Sequence, residues 1–102
     1  MAALRVLGVI PARLHSTRLP RKVLREIAGA PMIAHVYRGA RRSDLLSDLL
    51  VATDSDEVVE ACRAWSIPAV MTSSEHPSGT DRVWEVSRHR IADVYVNIQG
   101  DE

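Results

Sequence analysis

The sequence predicts a parallel α/β fold, one sheet with helices on both faces. Four short apolar runs, at residues 4–10, 48–53, 67–71 and 93–98, alternate with three amphipathic stretches at 31–42, 55–65 and 79–90. Such alternation is the pattern of strand–helix–strand units, which lay their strands parallel. The runs are rich in Val, Ile and Leu, as strands buried on both faces are. The 102 residues are 46% hydrophobic and 25% charged with no Phe, so one small aliphatic core is expected.

Each element has its own signal. LRVLGVI, closed by Pro11, reads as the first buried strand. Pro11, Pro20, Gly29 and Pro31 break any long helix over residues 11–30. A connection of that length in a compact domain tends to be functional, and VLREIAG within it could form a short extended segment or hairpin arm. In PMIAHVYRGARR, Pro31 suits a first helical turn. Met32, Ile33, Val36, Tyr37 and Ala40 share one face, and Arg41 and Arg42 suit the negative helix end. DLLVAT is the second strand. Ser55 can cap the next helix, in which Val58, Ala61, Cys62 and Trp65 follow the i, i+3, i+4, i+7 spacing. IPAVM makes a third strand, and residues 79–90 a third helix with Val83, Trp84 and Val86 inward. DVYVNI is the fourth strand. There is no internal repeat, low-complexity tract or linker. The chain stops directly after that strand, which reads as a fragment of a longer protein.

Charge is unevenly placed although its net value is zero. Arg5, Arg13, Arg18, Arg21, Lys22 and Arg25 precede the first acid, Glu26. A basic cluster beside an acidic body fits either an anionic ligand or a solvated basic loop. Zero net charge and few aromatics argue against a nucleic-acid binder. Cys62 is the single cysteine, so no internal disulfide can form. No stretch approaches the ~18 apolar residues of a membrane span. The opening MAALRVLGVIPAR lacks a cleavage pattern and reads as a strand rather than a signal peptide. A reducing, cytoplasmic setting is expected.

Four segments can carry chemistry, and ligands of open parallel sheets bind at the C-terminal ends of the strands. The first runs from Pro11-Ala12-Arg13 through Ser16-Thr17-Arg18 to Lys22. Fixed cations, small hydroxyl residues and free loop N–H groups suit phosphate. Arg13 and Arg18 can make bidentate contacts and Lys22 supplies a point charge. It is neither a Walker loop nor a GxGxxG loop. The second is Val51-Ala52-Thr53-Asp54, where Asp54 is a site residue or else starts the helix or fixes the loop. The third, Met71 to Arg82, sets Ser78, Gly79 and Thr80 where a base or ribose could approach closely. His76 lacks a partner at metal spacing and reads as a loop-ordering residue. Thr80 could be an N-cap, with Asp81 favouring the first turn. The fourth is Val96-Asn97-Ile98-Gln99-Gly100-Asp101-Glu102, in which Asp101 can hold Mg²⁺. Glu102 points away from Asp101 on an extended chain and is the weaker candidate. No covalent nucleophile stands out, since Cys62 lies on an apolar helix face.

Together, IPARLHSTRLPRKVL, VATDSDEV, EHPSGTDRVWEV and VNIQGDE resemble the 3-deoxy-manno-octulosonate (KDO) cytidylyltransferases, in order and over essentially all 102 residues. That family carries IPARxxSTRLPGKxL, ATD, HxSGTDR and VNxQGDEP. The resemblance implies a Rossmann-like fold of the nucleotide-diphospho-sugar transferase type, incomplete here. Residues 1–102 would be the nucleotide-binding N-terminal portion of a longer domain. The implied reaction joins CTP and KDO to give CMP-KDO and pyrophosphate, with magnesium, for lipopolysaccharide assembly. Arg13, Lys22 and Asp101 would be catalytic, with Asp101 the metal ligand. Pro11, Ala12, Arg13, Ser16, Arg18 and Lys22 would line the nucleotide, Arg18 serving the triphosphate or the acidic sugar. Thr72, Ser73, Ser78, Gly79 and Gln99 would surround cytosine and ribose. Arg21 departs from the family's glycine, which puts the local loop geometry at issue. The full-length form would be a homodimer, and these residues alone inactive. Alternatives are a cytidylyltransferase for another acidic sugar, a non-catalytic nucleotide-binding fragment, or a purely structural domain.

Overall fold

A computed structural model describes residues 4–13, 22–73 and 79–99. The elements run β1 Val6–Ala12, a 3-10 turn Lys22–Leu24, β2 Glu26–Ile27, β3 Ala30–Pro31 and α1 Met32–Arg41. They continue with β4 Asp48–Thr53, α2 Asp56–Ala64, β5 Ala69–Met71, α3 Gly79–Ser87 and β6 Val94–Asn97. The main sheet has the order β5-β4-β1-β6, with every pairing parallel. The chain therefore moves outward from β1 to β4 and β5, then crosses back to lay β6 on the other side of β1. Reversing direction places α3 on the opposite face from α1 and α2 when every crossover is right-handed.

The core confirms this layering. Ile10, Ala12, Leu49 and Val51 pack with Ile33, Tyr37, Val58 and Cys62 of α1 and α2. Leu7, Val9, Leu50 and Ala52 pack with Val83 and Val86 of α3. Alternation along β1 and β4 thus feeds two cores, one per face. Gly8 makes room in the first: a Cβ there would lie 2.8 Å from Leu49 Cδ1 and 3.0 Å from Ile98 Cδ1, and those side-chain ends would have to shift.

Several boundaries differ from the sequence reading, each for a physical reason. Pro11 does not close β1, which runs on to Ala12 by pairing Pro11 with Ala52 and Ala12 with Thr53 of β4. What Pro11 ends is the ladder on the other side. Ile98 N–H donates to Val9 O at 2.9 Å, and β1–β6 pairing stops at Val9–Asn97. The next parallel bridge needs the N–H of residue 11, and proline has none. Pro31 is the N-cap of α1 rather than part of its first turn (φ −65°, ψ 152°). VLREIAG becomes the 3-10 turn and a two-residue hairpin whose turn, Ala28-Gly29, has positive φ at both positions.

Ser55 caps α2 as expected, accepting from Val58 N–H at 3.3 Å. The helix ends in a Schellman arrangement: Ser66 N–H donates to Arg63 O and Ile67 N–H to Cys62 O. That commits Ile67 to the helix end, and β5 is shortened to Ala69–Met71, with Pro68 O accepting from Val51 N–H at 2.9 Å as the ladder begins. Trp65 sits at the C-cap, 38% exposed, with Arg38 stacked over its ring at 5.1 Å. Trp84 is 62% exposed and does not face inward. The buried stripe of α3 is instead Arg82, Val83 and Val86, which turns position 84 outward to stack under Arg88.

Candidate active site

The C-terminal rim of the sheet is built from one register row. Ala12, Thr53 and Met71 stand side by side across β1, β4 and β5. The next residues, Arg13, Asp54 and Thr72, therefore leave the sheet together. Between β1 and β6 the strand order reverses, and that switch point is where open α/β sheets take ligands. Because Pro11 stops the β1–β6 ladder there, β1 beyond Val9 stays paired to β4 alone, and the chain beyond Ile98 makes no further ladder bond to β1 among the described residues.

Arg13 is exposed at the end of β1, a cation standing at the rim. Pro11 and Ala12, also expected to line the nucleotide, are buried strand residues that form the floor beneath it. Lys22 opens the 3-10 turn, whose next residue, Val23, is 1% exposed in the α1–α2 core. His35 on α1 bonds Ile27 O at 2.5 Å and ties the following hairpin to the helix. The stretch that begins with Lys22 is thus held within one residue of the core. Ser16, Arg18, Arg21, His76, Ser78, Asp101 and Glu102 lie outside the described residues.

Under the β4–β5 side lies a residue that composition and spacing did not single out. Arg82, on the inward stripe of α3, is 1% exposed. Its Nη1 donates to Thr72 Oγ1 at 2.5 Å and to Ser73 O at 3.2 Å. Its Nη2 lies 3.8 Å from Asp54 Oδ2. Its Nε is buried without a hydrogen-bond partner among the described residues. Thr72 N–H also donates to Thr53 O at 2.8 Å, and Ser73 N–H to Glu85 Oε1 at 3.0 Å. Asp54 thus fixes the loop through Arg82, while the helix start is capped by Ser55. The signal that could have exposed Arg82 is a charged residue inside an apolar stripe, directly before Val83 and four before Val86.

On the β6 side a polar relay leads to the rim. Asn97 Nδ2 donates to Thr80 Oγ1 at 3.3 Å, and Gln99 Nε2 donates to Asn97 Oδ1 at 3.1 Å. Thr80 is the second residue of α3, so it serves Asn97 from inside the helix rather than as an N-cap. Gly79 opens α3, and the first-turn N–H groups there favour negative charge nearby. Gln99 is exposed.

Burial pushes the Cys62 thiol up from 9.0 to about 11, so it carries no nucleophilic thiolate at neutral pH. No three His, Cys, Asp or Glu side chains converge as a metal cage among the described residues. Magnesium does not need one: it takes one or two carboxylates and completes its shell with phosphate oxygens and water. No helix among the described residues is long and apolar enough to cross a membrane.

A parallel sheet whose switch point is flanked by exposed Arg13 and Gln99 defines an open α/β protein of the class that takes ligands at its strand ends. The cytidylyltransferase family model matches residues 7–102, and the chain belongs to that family. Its relatives include 3-deoxy-manno-octulosonate cytidylyltransferases of Acidobacterium capsulatum and Koribacter versatilis. The first is 61% identical over 100% of this chain and 42% of its own. The second is 53% identical over 96% of this chain and 37% of its own. A solved CMP:2-keto-3-deoxy-manno-octonic acid synthetase complexed with CTP superposes with a TM-score of 0.92 at 47% identity. The match covers 96% of this chain and 41% of that one. A Leptospira borgpetersenii cytidylyltransferase at 20% identity and TM-score 0.81 shares the fold. The resemblance to the KDO cytidylyltransferases seen in the motifs is therefore borne out. The chain spans about two-fifths of the length of these relatives.

Proposed function

We propose that this chain carries the nucleotide-binding part of a magnesium-dependent cytidylyltransferase that joins CTP to KDO, giving CMP-KDO and pyrophosphate. The observation that carries this reading is the placement of Arg13 beside the β1–β6 switch point, where Pro11 ends the ladder. The likeness to a CTP-complexed synthetase over 96% of the chain supports it. In the reaction the anomeric hydroxyl oxygen of the sugar attacks the α-phosphorus. The bond from that phosphorus to the β-phosphate oxygen breaks, and pyrophosphate leaves while the hydroxyl proton passes to solvent. Two anions must meet, so cations do most of the work. Arg13 and Lys22 would bind the triphosphate and offset charge on the leaving pyrophosphate, with Ser16 and Arg18 of the same segment beside them. Thr72, Ser73, Ser78, Gly79 and Gln99 would hold the nucleoside by hydrogen bonds. Asp101 would hold magnesium, which when bound neutralises phosphate charge and orients the oxygens. The setting is cytoplasmic, the product feeds lipopolysaccharide assembly, and the full-length form is a homodimer.

The short span relative to its relatives favours a second reading of the 102 residues by themselves: they bind CTP without turning it over. Two measurements separate the readings. Calorimetry with CTP and Mg²⁺ on this chain is expected to show binding, and its absence would overturn both. A hybrid in which these residues replace the matching stretch of the Acidobacterium capsulatum relative is expected to release pyrophosphate with KDO. A hybrid that turns over only a sialic-acid-like sugar would move the reading to another acidic sugar.

A further inference from the structure

We propose that Arg82 is a positioning residue for the nucleoside half of the ligand: its buried guanidinium locks the segment leaving β5 to the residue leaving β4. The proposal rests on the cytidylyltransferase reading and deepens it.

A guanidinium at 1% exposure is costly, because it cannot shed its charge and must be compensated by partners. Here the compensation is partial. Asp54 stands 3.8 Å away, beyond hydrogen-bond reach, and Nε is unpartnered among the described residues. A residue kept only for stability would sit better as an aliphatic side chain in the stripe it shares with Val83 and Val86. What Arg82 does with its donors is specific. One nitrogen, Nη1, holds both the Thr72 hydroxyl and the Ser73 carbonyl, two groups of the same two-residue segment. That segment carries its strand bond to Thr53 O on one side and its bond to Glu85 on the other. At least four contacts therefore fix the two residues that follow β5.

The two sides of the cleft are chemically different. The segment that leaves β1 is cationic and suits the triphosphate. The segment that leaves β5 begins Thr72-Ser73, polar and uncharged, and suits hydroxyl and base edges. Arg82 touches the second and not the first among the described residues. Its loss should therefore weaken recognition of the nucleoside and spare recognition of the phosphates.

The test compares two ligands, CTP and inorganic tripolyphosphate, each with Mg²⁺, on the unsubstituted chain, Arg82→Met and Arg82→Lys. Calorimetry gives affinity, circular dichroism gives folding, and amide hydrogen exchange reads Thr72 and Ser73. Arg82→Met is expected to lose about tenfold or more in CTP affinity, with tripolyphosphate changed by no more than about twofold. Exchange at Ser73 N–H should quicken. Arg82→Lys keeps the charge but not the planar fork, so it should recover no more than about threefold. Should Arg82→Met not fold, Arg82→Lys with the same two ligands decides. Equal losses for both ligands, or full recovery by lysine, would reduce Arg82 to a buried charge and overturn the proposal. Native CTP affinity in Arg82→Met overturns it alone. An unsubstituted chain without CTP affinity overturns the cytidylyltransferase reading, and the proposal falls with it.

Discussion

On one side of the rim, β4 and β5 deliver Asp54 and Thr72 onto a guanidinium that solvent does not reach. On the other, β1 and β6 deliver Arg13 and Gln99 into the open, with a proline where the next ladder bond would be. The first side is fixed by buried polar contacts, whose partners are costly to remove. The second is left unpaired, so its groups can meet a ligand without first breaking sheet hydrogen bonds. A rim built this way couples stability to binding on one side only. Substitutions on the β4–β5 side should cost stability together with nucleoside affinity, and those on the β1–β6 side should cost function with the fold intact.

The largest expected effect is functional. Arg13→Ala in the hybrid enzyme should lower turnover by about 100-fold, as loss of one preorganised charge at a developing anion does. Its thermal midpoint should stay put, because the side chain is exposed and packs into no core. Lys22→Ala should behave alike. Retained turnover in both would remove the phosphate role from the β1 segment.

Thr72→Val probes the opposite side. It leaves Arg82 Nη1 with one acceptor instead of two, at nearly unchanged volume. A buried donor left short costs about 1–3 kcal/mol, readable as a lower urea midpoint at constant m-value. A change below the measurement error would mean that water or another group already serves that nitrogen.

The sequence foretold the layers well and the rim unevenly, and the reason is local. Strand and helix signals are periodic, so Ile10, Val51, Val58 and Cys62 announce their burial by spacing alone. The Arg13 segment announces itself by charge. Arg82 does not, because a buried arginine looks like any helix-surface arginine until the stripe around it is known to face inward. Trp84 misleads for the same reason: reading it as core rotates the helix by about one residue, roughly 100°. The β1–β6 opening was legible in Pro11 only once the strand was known to have neighbours on both sides. In sequence, that proline reads as a terminator of its own strand.

Pro11→Ala is the direct test of that opening. An alanine N–H can complete the bridge to Ile98 O and extend the ladder toward Gln99. Stability should move by less than about 1 kcal/mol, since the added bond is offset by the looser unfolded chain. CTP affinity should fall by about threefold as Gln99 is drawn toward the sheet. Slow exchange of the amide gained at this position would show the bridge has formed. Slow exchange with undiminished CTP affinity would mean that the gap plays no part in binding.

Ser66→Gly supplies the control, and the smallest shift. Ser66 holds φ 58° at the position after the α2 C-cap, where a side chain crowds the following carbonyl and glycine does not. The substitution should raise stability by about 0.5 kcal/mol, a gain trimmed by the greater freedom of glycine in the unfolded state. The two backbone bonds of this helix end, to Arg63 O and from Ile67 to Cys62 O, need no side chain and should persist. Because Ser66 lies at the far end of β5 from Thr72, CTP affinity should not change at all. A parallel rise in affinity would show that binding simply follows global stability, and the separation between the two sides of the rim would then be lost.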